Sequence, residues 1–361
     1  MTSQPGIPDT MRVSVLEHPG QLVLTERPVP RPAAGHVLVA VRSVGVCGSD
    51  VHYFEHGRIG DFVVRAPLVL GHEVSGVIVA AGAGVPADRV GSRVAIEPGA
   101  ACGACEPCKA GRYNLCPQMR FFATPPVDGA LAEFVEVRAD LAFALPDSVS
   151  DDAAALLEPL SVGLWATGKA GLAPGGSVLI AGAGPIGLVT AQVARARGVA
   201  TIVVSDIAPD RLAAARRCGA TATLLASGPG SDPGGGPGGQ RSGVPGGQPD
   251  GELDAFIDCS GAPSAVRAGL RALRPAGTAV LVGMGPDEVP LPLGLIQQRE
   301  LMVTGTFRYA NTWPAAIALA ASGAVDVDSL VTDRYPLDQA ARALGSASQP
   351  GSIKSIIEPW R

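Results

Sequence analysis

Four cysteines fall within fifteen residues, as Cys102-x2-Cys105-x2-Cys108-x7-Cys116. Thiolates this close together favour a metal over disulfides in a chain with no secretion signal. Four sulfurs complete a tetrahedral Zn²⁺ with no open position, the pattern of a structural site. An iron–sulfur cluster and free or disulfide-bonded thiols are the alternatives, and no further cysteine or redox-partner signal favours either.

A second set of metal-ligating types is dispersed. Cys47 lies in Gly45-Val46-Cys47-Gly48-Ser49-Asp50-Val51-His52, and His72 and Glu73 lie in Gly71-His72-Glu73-Val74-Ser75-Gly76. Glu158 stands far along the chain beside Pro159. A soft thiolate, an imidazole and a carboxylate leave one position open, the arrangement of a catalytic zinc. Such an ion polarises an oxygen of its substrate as a Lewis acid. The sequence by itself does not bring Cys47 near Glu158, so ordinary core or surface roles for these residues weigh equally at this point.

The third signal is Gly182-Ala183-Gly184-Pro185-Ile186-Gly187, which fits G-x-G-x-x-G. It follows the apolar run Val178-Leu179-Ile180-Ala181, and Asp206 stands 19 residues after Gly187. The first glycine permits the tight turn, the second lets the backbone approach a pyrophosphate, and the third allows close helix–strand packing. The helix N-terminus then offers free N–H groups to the phosphates. A glycine-rich turn that binds nothing is the alternative. Asp206 accepts from ribose hydroxyls and repels a 2′-phosphate, which favours NAD over NADP; Arg211 tempers this, since an arginine there accommodates that phosphate.

These residues need elements to hold them. Residues 11–149 read as β-rich, broken by Gly and Pro. Ser150-Asp151-Asp152 caps a helical piece that should pause at Glu158, because Pro159 disfavours an α conformation before it. From Gly176 strands and helices alternate: strands over 177–181, 201–205, 253–258 and 278–282, and helices over 185–197, 208–218 and 263–273. That alternation predicts a parallel sheet covered on both faces. The tail from Thr306 is mixed and returns to the first domain. Residues 228–251 hold 11 Gly and 5 Pro in 24 positions, have no periodicity, and are expected to be disordered where a crossover helix belongs.

Composition narrows the function classes. A net charge of −5 with 17% charged residues and no basic run argues against nucleic-acid binding. The longest apolar stretch, 178–194, is 17 residues and carries three glycines and Pro185, so no membrane span is expected. Residues 1–10 do not read as a secretory signal, and a reducing cytoplasm is the simplest compartment. Only three of the 28 basic residues are lysines: Lys109, Lys169 and Lys354.

The motifs together resemble the zinc-dependent medium-chain dehydrogenases, and within them the sorbitol (L-iditol 2-) dehydrogenase branch. The resemblance is carried by residues 44–53 (Val-Gly-Val-Cys-Gly-Ser-Asp-Val-His-Tyr), Gly57-Arg-Ile-Gly60, Val69-Leu-Gly-His-Glu73, Arg93-Val-Ala-Ile-Glu-Pro-Gly99, Gly111-Arg-Tyr-Asn-Leu-Cys116, Glu158-Pro-Leu-Ser-Val162 and Phe307-Arg-Tyr-Ala-Asn-Thr-Trp-Pro314. The zinc-dehydrogenase pattern G-H-E-x2-G-x5-G-x2-V runs from Gly71 to Val85. It covers nearly the whole chain except 228–251.

The resemblance implies an α/β protein: a GroES-like β-rich catalytic domain over 1–160 and 300–361, and a doubly wound parallel-sheet (Rossmann) domain over 161–299. It implies a catalytic zinc on Cys47, His72 and Glu73, with Glu158 hydrogen-bonding the ion's water or briefly replacing it. The second, structural zinc belongs to Cys102, Cys105, Cys108 and Cys116. Ser49 and Glu158 are candidates to carry a proton, and Tyr53, Glu158, Arg308 and Tyr309 match substrate-contacting positions. Gly182, Gly184, Pro185, Ile186, Gly187, Asp206, Arg211, Val282, Gly283, Met284 and Phe307 match cofactor contacts. The implied reaction moves hydride from a secondary hydroxyl of a small-molecule polyol to NAD, giving a ketose, in a homotetramer. L-Threonine 3-dehydrogenase is the near rival, and a non-catalytic zinc- and dinucleotide-binding protein the distant one.

Overall fold

The computed structural model describes residues 6–226, 250–347 and 349–361. The chain separates into two compact units. The first comprises Met1–Glu158, Trp313–Ala321 and Val327–Arg361; the second comprises Pro159–Thr312 and Ser322–Asp326.

The first unit is built on a seven-stranded sheet ordered Ala142–Ala144, Arg93–Ile96, Glu73–Ala81, His36–Gly45, Lys354–Glu358, Val331–Pro336, with Phe134–Arg138 also pairing on His36–Gly45. Its pairs are antiparallel except the last, Val331–Pro336 with Lys354–Glu358. His36–Gly45 is buried along most of its length, as a central strand of Val, Leu and Ala must be. Val37, Val39, Val41, Leu70, Ile78 and Leu131 lie in its core. The C-terminal strand is thus inserted beside the strand that leads into Cys47.

The second unit is a six-stranded parallel sheet ordered Ala222–Leu225, Thr201–Asp206, Ser177–Ala181, Leu253–Asp258, Leu273–Leu281, Met302–Gly305. Numbered along the chain this is 3-2-1-4-5-6, the dinucleotide-binding order. Helices Pro185–Ala196, Pro209–Arg217 and Pro263–Ala272 each carry proline in their first turn. There its missing N–H is not needed and its φ is already helical.

Several expectations shift. The helical pause falls at Leu156 rather than Glu158, between Asp151–Ala155 and Leu157–Lys169. Pro159 is accommodated because it sits in the first turn of the second helix. The strand expected over 278–282 begins earlier, as Leu273–Leu281. Met302–Gly305 pairs with Leu273–Leu281 as the sixth parallel strand, and in sequence the division between the compact units falls after Glu158 and after Thr312. The disorder expected over 228–251 falls on residues that, through 249, lie outside those described.

Candidate active site and metal centres

Cys47 caps the helix Gly48–His56 with extended geometry, φ −100° and ψ 154°. Asp50, in that helix's first turn, accepts from the Cys47 N–H at 3.1 Å and from the Gly71 N–H at 2.9 Å. One buried carboxylate therefore ties the Cys47 turn to the turn carrying His72. Asp50 Oδ1 also stands 3.7 Å from His72 Nδ1. A metal-bound histidine characteristically faces such an acceptor with its other ring nitrogen. Burial would raise the Asp50 pKa, but His72 and the two N–H donors outweigh it and lower it. Burial would likewise depress His72, yet the charges of Asp50 and Cys47 raise it well above the usual range. Both shifts express the pairing of Asp50 with His72, each favouring the charged form of the other.

Glu73 opens the strand Glu73–Ala81 and is the register partner of Gly45. It is 1% exposed. Its Oε1 accepts from Lys354 Nζ at 2.6 Å, and its Oε2 is buried with no hydrogen-bond partner. A Cβ on Gly45 would stand 2.0 Å from that Oε2. The glycine is thus a requirement of where the carboxylate sits. The ligating atoms of Cys47, His72 and Glu73 all lie within 4.8 Å of one another. A thiol, an imidazole and a carboxylate that keeps one buried oxygen without a partner are a donor set that a Zn²⁺ satisfies.

Glu158 is buried in the same unit, in the first turn of Leu157–Lys169, but is not part of that cluster. Its charge reaches both Lys354 and Glu97. Glu97 follows Arg93–Ile96, is buried, and accepts from Tyr113 Oη at 2.7 Å. Burial, together with the charges of Glu158 and Asp140, pushes Glu97 up to about 7 against the pull of the tyrosine hydrogen bond. Ser49 is half-buried on the first turn of its helix and Tyr53 is buried on the same helix.

The sulfurs of Cys102, Cys105, Cys108 and Cys116 also gather within 4.8 Å. All four are free thiols, with Cys105 and Cys108 sulfurs 3.3 Å apart and Cys102 and Cys108 sulfurs 4.0 Å apart. A tetrahedron with ~2.3 Å zinc–sulfur bonds has edges of ~3.8 Å, so the spacing fits. Backbone N–H groups support the sulfurs: Cys105 donates to Cys102, and Cys102 donates to Cys116, each at 3.4 Å. Backbone donors from Ala104 and Cys105 lower the Cys102 pKa to about 6.

In the second unit the glycines occupy the geometries their motif requires. Gly182 has φ +94°, and a Cβ on Gly187 would lie 1.8 Å from the Gly182 carbonyl oxygen. Around Gly184, at the N-cap of Pro185–Ala196, a Cβ would meet open space. Asp206 ends its strand and accepts from Ala183 N–H at 2.6 Å and Ala208 N–H at 2.9 Å. Its carboxylate is thereby aimed at the glycine turn, with lone pairs left for ribose hydroxyls. Ile186 and Arg211 are half-buried, as is Val282, while Met284 is exposed. Gly283 packs backbone to backbone on Gly261, where a Cβ would come within 2.2 Å of the Gly261 nitrogen. Arg308 has φ +54° and lies 4.8 Å above the ring of exposed Phe307; Tyr309 is buried.

Sequence reasoning assigned no role to Asp50, Glu97, Tyr113 or Lys354. Asp50 carried a readable signal, an acid three residues into a helix that starts at a candidate ligand. Lys354 carried only its rarity.

Comparison with known proteins adds a second line. Residues 33–147 match the family described as Alcohol dehydrogenase GroES-like domain, and residues 185–322 match Zinc-binding dehydrogenase. Sorbitol dehydrogenase of Bacillus subtilis (strain 168) is 41% identical over 358 residues, covering 98% of this chain and 99% of that protein. A zinc-binding dehydrogenase from Sinorhizobium meliloti 1021, solved with NADP, superposes with a TM-score of 0.87 at 32% identity, covering 98% of this chain and all of that one. An alcohol dehydrogenase from Escherichia coli CFT073, solved with NADH, gives a TM-score of 0.85 at 29% identity, with 97% and 100% coverage.

Proposed function

Because the chain belongs to the zinc-dependent medium-chain dehydrogenases, in their sorbitol dehydrogenase branch, we propose that it oxidises a secondary hydroxyl of a polyol of the sorbitol, xylitol or L-iditol type to a ketose, with NAD as hydride acceptor. The observation that carries this reading is the convergence of Cys47, His72 and Glu73, whose ligating atoms lie within 4.8 Å of one another and whose carboxylate keeps one buried oxygen, Oε2, without a partner. These three residues would hold the catalytic zinc, and the four-cysteine cluster the structural one. Bound there, zinc supplies Lewis acidity that lowers the pKa of the substrate hydroxyl, and NAD supplies the hydride acceptor.

The protein's own residues do the rest. Asp50 fixes the Cys47 and His72 turns against each other through two backbone hydrogen bonds. Ser49 and Glu158 are the groups we assign to receiving and passing on the hydroxyl proton. Glu158 suits that task because it is a carboxylate held in a buried position. Arg308 stays protonated, so we assign it, with Tyr309 and Tyr53, to orienting the remaining hydroxyls by hydrogen bonding. Gly182, Gly184 and Gly187 shape the turn that receives the pyrophosphate, and Asp206 selects the unphosphorylated ribose of NAD.

Among the described residues no helix is long and apolar enough to cross a membrane. We place the protein in a reducing cytoplasm, where four free thiols remain available to zinc, and as a homotetramer; sedimentation of the purified protein reads the latter.

Metal analysis and activity together test the reading. Wild-type protein should carry two zinc ions and form NADH from sorbitol. Cys47→Ser should abolish NADH formation while one zinc and the fold remain, whereas Cys105→Ser should chiefly lower thermal stability. One zinc in fully active wild-type protein would overturn the two-centre assignment.

A further inference from the structure

Lys354 is 3% exposed and lies against a candidate metal ligand rather than at the surface. Its Nζ donates to Glu73 Oε1 at 2.6 Å and to the Val46 carbonyl at 2.7 Å, immediately before Cys47 in the chain. The contact with Glu73 spans 281 positions of sequence. It arises because the strand Lys354–Glu358 is inserted beside His36–Gly45, pairing Ile356 with Gly45 and Ile357 with Val44. The Val46 N–H in turn donates to the Ser355 carbonyl at 2.9 Å. The C-terminal strand therefore grips both the loop that carries Cys47 and the side chain of Glu73.

Choice of residue type sharpens the point. Only three of 28 basic residues are lysines, so arginine is this chain's ordinary cation. A guanidinium is a wide planar fork, whereas an ammonium is a compact point donor. The gap between Glu73 Oε1 and the Val46 carbonyl is bridged by that single nitrogen. On the other side of the carboxylate, Gly45 leaves no room for a Cβ beside Oε2. The two oxygens are thus made inequivalent, one held by Lys354 and one buried beside Gly45 without a partner.

We propose that Lys354 is a positioning residue of the metal centre: it holds one oxygen of Glu73, presents only the other to the ion, and supplies the counter-charge that keeps this buried carboxylate in place before metal enters. The proposal rests on the zinc reading above. Lys354 also donates to the Val46 carbonyl, so the same ammonium ties the loop carrying Cys47 to the Glu73 carboxylate. Removing it leaves Glu73 buried without its partner, free to rotate away or to offer both oxygens.

The test uses the full zinc-loaded chain and the variants Lys354→Met and Lys354→Gln; the glutamine retains a neutral donor should methionine prevent folding. Zinc per chain is followed during dialysis against a chelator, and cobalt(II) is substituted to record the absorption of the catalytic centre. Wild type should hold both ions. The variants should release one ion at least ten-fold faster, show a shifted cobalt spectrum, and lose at least ten-fold in kcat with KM for NAD within two-fold. If both variants keep the second ion as long as wild type, with an unchanged cobalt spectrum, Lys354 merely fills space and the proposal is overturned. If neither folds with zinc supplied, the pair serves folding and the positioning role is overturned as well. A single zinc in wild type would overturn the metal reading itself, and this inference with it.

Discussion

Replacing Gly45 with alanine tests whether Glu73 must stand where it does. The new Cβ would lie 2.0 Å from Glu73 Oε2 and 3.1 Å from both its Cβ and Cδ. Non-bonded atoms settle near ~3.5 Å, so the carboxylate must retreat by more than an ångström. It cannot do so freely, because Lys354 holds its other oxygen at 2.6 Å. Metal–ligand distances tolerate only about 0.2 Å, so a displacement of this size removes Glu73 from any ion shared with Cys47 and His72. Misplacement of ~1 Å in a reacting assembly lowers rates by ~100-fold, and overpacking a buried site destabilises by ~1–3 kcal/mol. Gly45→Ala should therefore fold, lose at least ~100-fold in kcat for polyol oxidation followed as NADH absorbance, and bind the second zinc more weakly. The reasoning is refuted if the variant keeps kcat within three-fold of wild type and retains both ions.

Two further outcomes follow from other parts of the molecule. Asp206→Ser removes the carboxylate that repels a 2′-phosphate, and preference should move toward NADP by at least ~10-fold, equivalent to ~1.4 kcal/mol; kcat/KM measured with both cofactors reads this, and a wild type indifferent to the phosphate contradicts it. Glu97, raised to about 7 by burial, should stabilise the fold at acid pH and lose that contribution as pH rises from about 4.5 through 7. Glu97→Gln should match wild type near pH 5 and be the more stable protein near pH 8, by up to ~2–3 kcal/mol, in thermal melts across that range; parallel melting curves at all pH values would refute the assignment.

Local spacing explains what was legible in the sequence. The four clustered cysteines lie within fifteen consecutive residues, so their convergence needs no knowledge of the fold. The turn Gly182–Gly187 is likewise local, and each of its glycines has a conformational or steric reason visible within a few residues. Cys47, His72 and Glu73 were harder, because strand pairing brings them together: Gly45 lies opposite Glu73, and Asp50 bridges the two turns. Lys354 and the Glu97–Tyr113 pair could not be read at all. Their contacts depend on which strand the C-terminus joins and on how the cysteine lobe folds against the sheet. The misplaced pause at Glu158 has a similar origin. Proline breaks a helix interior, whereas in the first turn of Leu157–Lys169 it is harmless.

A substrate panel with the zinc-replete protein and NAD tests the central claim most directly. Sorbitol, xylitol, L-iditol, L-threonine and a simple secondary alcohol are compared by kcat/KM, and the product of the preferred substrate is identified. The proposed function predicts a polyol as the preferred substrate, by at least ~100-fold over L-threonine, with a ketose as product and activity lost in Cys47→Ser. Faster turnover of L-threonine, or no NADH from any polyol while both zinc ions are bound, would contradict it.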